Sequence, residues 1–251
     1  MLIQGDSLIV TGASHGIGRA LALALARRGI HLALCARGDE ALDSSRRDCR
    51  RAGARVSAVA GNAAHDEVCE RLVEQAMELG RFKGFIHVAG VLAPGPYVWE
   101  HDADEAAQVW DASVGGALAL MRAAVPELRR RGKGLAVFFG SGASQRHQIG
   151  IGLYSAAKAA EEFLAGQLSA EAPEITSVVY RPAVADTRMQ SQARNATGGA
   201  ASVLRPVFTN YLESRQLLTP EAAAQALLTA LEQDWAELRG RVLSAREILR
   251  G

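Results

Sequence analysis

The chain has few cysteines, almost no net charge and no long apolar run. Its 251 residues include three cysteines and six histidines. Cys35, Cys49 and Cys69 are odd in number and lack the spacing of metal ligands, so we expect free or buried thiols rather than a disulfide framework. The histidines show no ligand spacing either. The sequence therefore predicts no metal site.

The balance of charges excludes two classes of partner. Lys and Arg number 28 against 27 Asp and Glu, a formal net charge of +1, which gives no electrostatic argument for binding nucleic acid or a membrane surface. No apolar run is long enough to span a bilayer. A basic segment, an apolar region and a cleavage site do not occur in that order near residue 1. We expect a cytoplasmic protein with a small-molecule substrate.

Hydrophobic residues, by contrast, make up 49% of the chain, enough for one large core. Short apolar runs alternate with helical stretches, which predicts an α/β protein: a single-domain Rossmann fold over 1–251, with a doubly wound, mainly parallel seven-stranded sheet and helices on both faces. The predicted strands are 8–10, 31–35, 55–60, 84–88, 135–139, 176–180 and 241–243. The main predicted helices are 39–52, 66–79, 103–131, 151–171 and one opened by Thr219 and Pro220. The segment at about 190–215 is predicted to be a substrate lid.

A glycine-rich segment joins the first strand to a helical run. Gly12, Gly16 and Gly18 stand in it at the spacing of a dinucleotide-binding turn. The first glycine permits the tight turn, the second lets the backbone approach a pyrophosphate, and the third allows close packing of helix on strand. The free amides and the dipole at the helix N-terminus then favour phosphate.

Tyr154 and Lys158 are four residues apart in a predicted helix, so their side chains share one face. A positive charge beside a phenol favours the phenolate, which suits general acid-base work on a carbonyl or an alcohol. Ser141 follows the fifth strand, where a parallel sheet forms its ligand crevice. Each of these residues alone is compatible with an ordinary helix or loop. Their combination with the glycine-rich turn indicates a hydride-transfer site.

These motifs, with Ala89-Gly90 after the fourth strand and 182–187 after the sixth, resemble those of the classical short-chain dehydrogenases/reductases over essentially the whole chain. The resemblance implies that Tyr154 is the general acid, that Lys158 tunes it and binds the nicotinamide ribose, and that Ser141 bonds the substrate oxygen. It also implies a homodimer or homotetramer through the long helices 103–131 and 151–171. The expected cofactor-binding residues are Gly12, Ser14, His15, Gly16, Ile17, Gly18, Arg37, Asn62, Ala89, Gly90, Tyr154, Lys158, Pro182, Val184 and Thr187.

The end of the second strand predicts the cofactor. An acidic residue there would accept hydrogen bonds from the adenosine ribose and repel a 2′-phosphate. The chain instead has Ala36 followed by Arg37, whose guanidinium can hold phosphate oxygens as a fork. Arg37 is also compatible with an ordinary solvated arginine, but the acid is missing in either case. The sequence predicts NADP(H).

Three positions depart from the family pattern. Ser113 stands where a catalytic asparagine is usual, and its main-chain carbonyl could keep part of that role. His87-Val88 replaces a pair of asparagines, so the side-chain amide bonds that brace the sheet are expected to be lost. Asn62 replaces an acid that usually contacts adenine, and its amide can still bond adenine. These departures predict slower turnover rather than another fold.

The segment 180–190 is similar to that of the sepiapterin reductase and benzil reductase branch, although Ala183 stands where a glycine is usual. This similarity implies reduction of a ketone or dicarbonyl with NADPH. Two other functions stay open: a catalytically weak relative that binds NADP(H) as a sensor or partner protein, and a non-catalytic assembly protein. The candidates for lining the substrate pocket are Pro94, Tyr97, Trp99, Gln145, His147, Ile149 and Met189.

Overall fold

The computed structural model describes residues 1–250; Gly251, the last residue of the predicted domain, lies outside them. Its strands are β1 Asp6–Thr11, β2 His31–Ala36, β3 Val56–Ala60, β4 Arg81–His87, β5 Gly134–Phe139, β6 Ile175–Arg181 and β7 Val242–Ser244. They form one seven-stranded sheet in the order β3-β2-β1-β4-β5-β6-β7, and every pairing is parallel. The predicted α/β Rossmann fold is confirmed.

Helices cover both faces of the sheet, as right-handed crossovers between parallel strands require. The helices are α1 Gly16–Arg27, α2 Asp39–Arg51, α3 Asp66–Leu79, α4 Ala103–Trp110, α5 Gly116–Arg130, α6 Gly152–Glu171, α7 Arg188–Arg194, α8 Ala201–Glu213, α9 Pro220–Leu231, α10 Trp235–Leu238 and α11 Ala245–Ile248. On one face α1, α2 and α9 pack on residues such as Leu8 and Leu34, and on the other α3, α5 and α6 pack on residues such as Phe85 and Phe138.

Strand β4 begins three residues before the predicted start at residue 84. The cause is the carboxylate of Asp6, which is fully buried. Arg81 Nε donates to Asp6 Oδ1 over 2.9 Å, and Lys83 Nζ lies 3.7 Å from the same oxygen. A buried carboxylate is stable only with such partners, so two charged residues are drawn into the strand. An apolar pattern alone could not predict them.

The predicted helix 103–131 is continuous but not uniformly α-helical. A π turn at Asp111–Gly115 separates α4 from α5. Such turns shift the register of the helix and often occur at functional sites. At Gly116, an added Cβ would lie 2.7 Å from His87 Cε1, so the helix approaches β4 closely here. The π turn therefore brings helical backbone against the end of a central strand.

The segment predicted as a lid is helical. It contains α7 and α8, and its residues Leu204 and Phe208 pack with Tyr154 in a third apolar cluster. This packing places the segment beside the predicted site; its movement stays a prediction. Thr219 caps α9 as predicted, with its hydroxyl accepting from Ala222 N over 3.1 Å.

The structure describes the environment of the three cysteines and the polarity of the helices. Cys35, Cys49 and Cys69 are all free and buried. Burial raises the pKa of the Cys35 and Cys69 thiols to about 12 and that of Cys49 to about 11. Among residues 1–250, no helix is long and apolar enough to cross a membrane.

Candidate active site

A cavity of about 800 Å³ opens at the carboxyl ends of the parallel strands. Such crevices are where open α/β sheets bind their ligands. Its walls include the segments that follow each of β1 to β6, so parts of the chain far apart in sequence meet there. Sixteen predicted site residues line it: Gly12, Ser14, His15, Gly16, Ile17, Gly18, Arg37, Asn62, Ala89, Gly90, Pro94, Tyr154, Lys158, Pro182, Thr187 and Met189.

The glycine-rich turn has no room for larger residues. Gly12 adopts φ +65°, and a Cβ there would lie 2.8 Å from Ala89 N. A Cβ on Gly18 would lie 2.2 Å from Gly12 O. Helix α1 then begins at Gly16, and the side chain of His15 makes no capping hydrogen bond to it. The first amides of α1 therefore remain available for phosphate oxygens, which makes this turn a suitable cradle for a dinucleotide.

The adenosine end of the cavity contains no acid at the end of β2. Arg37 is exposed and lines the cavity together with Ala36 and His15. His15 Nδ1 lies 3.0 Å from Ser14 Oγ. Asn62 also lines this region; its Oδ1 accepts from Ala64 N over 3.1 Å, and its Nδ2 donates to Asp111 Oδ2 over 3.4 Å. The amide of Asn62 thus already ties the loop after β3 to the π turn.

His87 joins three parts of the site. Its Nε2 lies 3.1 Å from Ser113 O and its Nδ1 lies 2.8 Å from Thr11 Oγ1. A carbonyl only accepts, so Nε2 carries the proton and the Thr11 hydroxyl donates to Nδ1. The Thr11 oxygen then accepts from the amides of Val88 (3.2 Å) and Ala89 (3.3 Å). Both ring nitrogens of His87 and the hydroxyl of Thr11 therefore have hydrogen-bond partners.

This network corrects one expectation. We expected the replacement of the asparagine pair to remove the bonds that brace the sheet, but His87 supplies a brace between β1, β4 and the π turn. Burial lowers the pKa of His87 to about 3, and the charge of Lys158 acts in the same direction. The imidazole is therefore neutral, as its hydrogen bonds require. Ser113 is fully buried; its carbonyl accepts from His87, and its hydroxyl has no partner among residues 1–250.

Tyr154 and Lys158 both line the cavity. Lys158 Nζ lies 6.0 Å from the centroid of the Tyr154 ring. It donates to Phe139 O over 2.8 Å and to Glu161 Oε2 over 2.6 Å. The ammonium is thus held behind the tyrosine by the end of β5 and by its own helix. Sequence reasoning missed Glu161, although a carboxylate three residues after Lys158 in an alanine-rich helix is a visible signal.

Glu162 positions the loop that carries Ser141. Its Oε1 accepts from Ser141 N and from Arg181 Nε, each over 3.0 Å. Its Oε2 accepts from Ser144 Oγ over 2.8 Å and from Arg181 Nη2 over 2.6 Å. The hydroxyl oxygen of Ser141 accepts from Ala143 N over 3.2 Å. The serine is therefore fixed by a half-buried ion pair between α6 and β6, which sequence reasoning also missed.

Eight predicted site residues do not line this cavity: Ser113, Ser141, Val184, Tyr97, Trp99, Gln145, His147 and Ile149. Tyr97 and Trp99 stack on each other at 4.8 Å, with Trp99 80% exposed. Gln145 accepts from Arg181 over 2.9 Å. Near the substrate end the lining instead includes polar residues that we had not predicted: Glu105, Gln108, Gln192, Asn195 and Thr197. The first two lie on α4, and the other three lie on the segment from α7 to α8. The sequence did not indicate the helices of that segment.

Ala183 shows the consequence of its departure from glycine. It adopts φ +61°, in the left-handed region that residues with a side chain seldom occupy. Such a conformation costs about 1 kcal/mol and persists only where the surroundings fix it. The loop after β6 is therefore held in the shape that a glycine would adopt freely, with Pro182 and Thr187 on the cavity wall.

Comparison with known proteins agrees with this geometry. A family model described as short chain dehydrogenase matches residues 6–198. The chain belongs to the short-chain dehydrogenase/reductase family. This match spans the glycine-rich turn, the Tyr154/Lys158 pair and the loop after β6, and it establishes an oxidoreductase of the short-chain type.

Three similar proteins come from fungi and a plant. The chain is 31% identical to a glycine betaine reductase of Emericella nidulans over 92% of its own length, but spans only 18% of that protein. It is 28% identical to an NADPH-dependent pterin aldehyde reductase of Arabidopsis thaliana, covering 75% of this chain and 78% of the relative. A solved short-chain dehydrogenase/reductase from Saccharomyces cerevisiae superposes with a TM-score of 0.85 at 27% identity, over 96% of both chains.

Proposed function

We propose that this short-chain dehydrogenase/reductase is an NADP(H)-dependent carbonyl reductase that converts a ketone or dicarbonyl into an alcohol, reversibly. One observation carries the proposal: the phosphate cradle at Gly12–Gly18 and the Tyr154/Lys158 pair line one cavity. The cofactor supplies a hydride when bound. A proton must also reach the substrate oxygen, and Tyr154 is the acid in the cavity wall that can donate it.

Three further residues have separate proposed roles around Tyr154. Lys158 places a positive charge behind the phenol, which favours the phenolate left after proton donation. Ser141 is the proposed partner of the substrate oxygen, fixed through its backbone by Glu162. Its Oγ accepts from Ala143 N, which leaves the proton of the hydroxyl free to be donated. The neutral His87 holds Val88 and Ala89 close to the cofactor cradle through Thr11.

Arg37 is the residue proposed to select NADP(H) over NAD(H). An exposed guanidinium beside the small Ala36 leaves space for a 2′-phosphate and supplies charge-assisted hydrogen bonds to it. The similarity to the NADPH-dependent pterin aldehyde reductase of Arabidopsis supports this choice. Asn62, with its amide bonded to Ala64 and Asp111, shapes the adenine end without adding a negative charge.

The substrate end of the cavity supports a ketone or dicarbonyl of moderate polarity. Leu92, Pro94 and Met189 give it an apolar wall, and Gln192 and Asn195 add amides from the segment that covers it. Amide donors and acceptors suit a substrate with a second oxygen next to the reacting carbonyl. The competing function, a relative that binds NADP(H) as a sensor, would show cofactor binding without turnover.

The exposed Phe163 supports a homodimer or homotetramer through the long helices. It projects from α6 with 73% of its surface exposed, and Trp110 at the end of α4 is 39% exposed. Light scattering of the purified protein measures the oligomeric state directly. We expect a mass of twice or four times that of the chain.

The experiment compares NADPH with NADH as electron donors against a panel of diketones and aryl ketones. In Arg37→Asp we expect the preference for NADPH to fall by roughly 10-fold to 100-fold, because charge-assisted hydrogen bonds to the phosphate are lost. Arg27→Asp, at an exposed position in the last turn of α1, is the matched control. An unchanged preference in Arg37→Asp would contradict the cofactor assignment, and NADPH binding without turnover of any carbonyl would favour the sensor.

A further inference from the structure

A second ionisable group lies beside Lys158, deeper in the protein. The Glu161 side chain is fully buried, and its Oε2 accepts from Lys158 Nζ over 2.6 Å. Its other oxygen, Oε1, has no hydrogen-bond partner among residues 1–250. A buried carboxylate with an unpartnered oxygen is costly, so packing alone gives no reason for an acid at this position. The hydrogen bond to Lys158 gives such a reason.

The contacts of Lys158 limit what it can offer to the cavity. An ammonium has three N–H donors. Two of them are used by Phe139 O (2.8 Å) and Glu161 Oε2 (2.6 Å). One donor remains for the side on which Lys158 lines the cavity. Glu161 therefore fixes the direction of the ammonium as well as contributing a charge.

The other charged groups around the pair are already accounted for. Glu162, on the same helix, is neutralised by Arg181 of β6 at 2.6 Å. His87 of β4 is buried and neutral. Asp111 of the π turn accepts from Asn62, and β5 contributes only the carbonyl of Phe139. Within residues 1–250, Glu161 is thus the one carboxylate hydrogen-bonded to Lys158.

Burial and pairing act in opposite directions on both groups. Burial opposes the charge of Lys158, but the negative charges around it, Glu161 first among them, outweigh burial, so the pKa of Lys158 lies above its ordinary value. Burial raises the pKa of Glu161 to about 7, against the pull of Lys158. Above neutral pH the pair therefore approaches net neutrality, whereas below it Lys158 is a bare cation behind Tyr154.

We propose that Glu161 is a positioning residue that offsets the charge of Lys158 and thereby sets the pH at which Tyr154 ionises. This inference rests on the proposed function, in which Tyr154 is the proton donor. A compensated lysine stabilises the phenolate less than a bare one does. Glu161 consequently keeps Tyr154 protonated to higher pH, which favours proton donation to a carbonyl over proton removal from an alcohol.

The test follows the ultraviolet absorbance of tyrosinate as the pH is raised, in wild type and in Glu161→Gln. The same titration of each protein carrying Tyr154→Phe is subtracted, so that the difference reports Tyr154 alone. Glutamine keeps the size and one accepting oxygen but removes the charge. We expect the midpoint of Tyr154 ionisation to move to lower pH by about 1 unit or more. Glu171→Gln, at the exposed end of the same helix, should leave the midpoint unchanged. An unchanged or higher midpoint in Glu161→Gln overturns the proposal.

Two additions keep the outcome decisive. If Glu161→Gln does not fold, Glu161→Asp replaces it; its shorter carboxylate lies farther from Lys158, and a shift in the same direction is required. The pH profile of alcohol oxidation should move to lower pH in parallel. Failure of the proposed function would appear separately, as absence of turnover by wild type, while the tyrosinate titration would still report on Glu161.

Discussion

The burial of His87 predicts how the free energy of unfolding depends on pH. It is buried between Thr11 and Ser113, and burial lowers its pKa from 6.5 to about 3. A histidine with a lower pKa in the folded state contributes stability that is complete above its ordinary pKa and is lost as the pH falls towards the folded value. The substitution His87→Gln removes the titration while keeping a neutral donor and acceptor.

The magnitude follows from those two pKa values. Between about pH 7 and pH 5 the unfolded chain takes up a proton on His87 that the folded chain does not. Integrating this difference gives a loss of about 2 kcal/mol in the free energy of unfolding. Glu161 acts with the opposite sign, because its raised pKa gives stability that is lost as the pH rises through about 7. Both proteins retain Glu161, so its contribution cancels in the comparison.

The assay is urea unfolding of wild type and His87→Gln near pH 7, pH 6 and pH 5. We expect wild type to lose about 2 kcal/mol more than the variant over this range, whatever their difference near pH 7. His147→Gln, at an exposed position, is the matched control and should follow wild type. Equal pH dependence in wild type and His87→Gln would refute the assignment of His87 as a buried, neutral brace.

Two further substitutions test the packing of β4 against β5 and the support of the loop that carries Ser141. Gly84→Ala should cost about 3 kcal/mol in urea unfolding, because Gly84 has φ +139° and a Cβ there would lie 1.8 Å from Leu135 O of the next strand; a change below about 0.5 kcal/mol would show that β4 is placed wrongly. Glu162→Gln should lower both the melting temperature and kcat, because it leaves Arg181 without its carboxylate and weakens the support of Ser141, at a cost of about 1–3 kcal/mol. Unchanged kcat would show that this ion pair does not position the serine.

Local patterns in the sequence predicted the frame of the molecule. The glycine-rich turn and the Tyr154/Lys158 pair follow from short spacings, each within one element, and the sheet follows from alternating apolar runs. The carboxyl ends of parallel strands meet at one edge, so their convergence in a cavity follows as well. Most of the predicted cofactor-binding residues lie there for that reason.

What the sequence did not predict depends on contacts between distant segments. The role of His87 requires Thr11, Ser113 and a π turn to meet, and no local pattern encodes that meeting. Asp6 likewise draws charged residues into β4 across 75 positions of sequence. The substrate end was predicted least well. Its polar lining comes partly from α4 and partly from the segment 192–197, and which of their side chains face the cavity depends on how these segments pack.

The central claim is that Tyr154 donates the proton in a carbonyl reduction driven by NADPH. The most direct measurement is the rate of NADPH consumption by wild type and Tyr154→Phe with a ketone that wild type accepts, at matched occupancy of NADPH. We predict a loss of about 100-fold to 10,000-fold in kcat, the contribution of a positioned general acid, with NADPH binding retained. Equal rates in the two proteins would contradict the account.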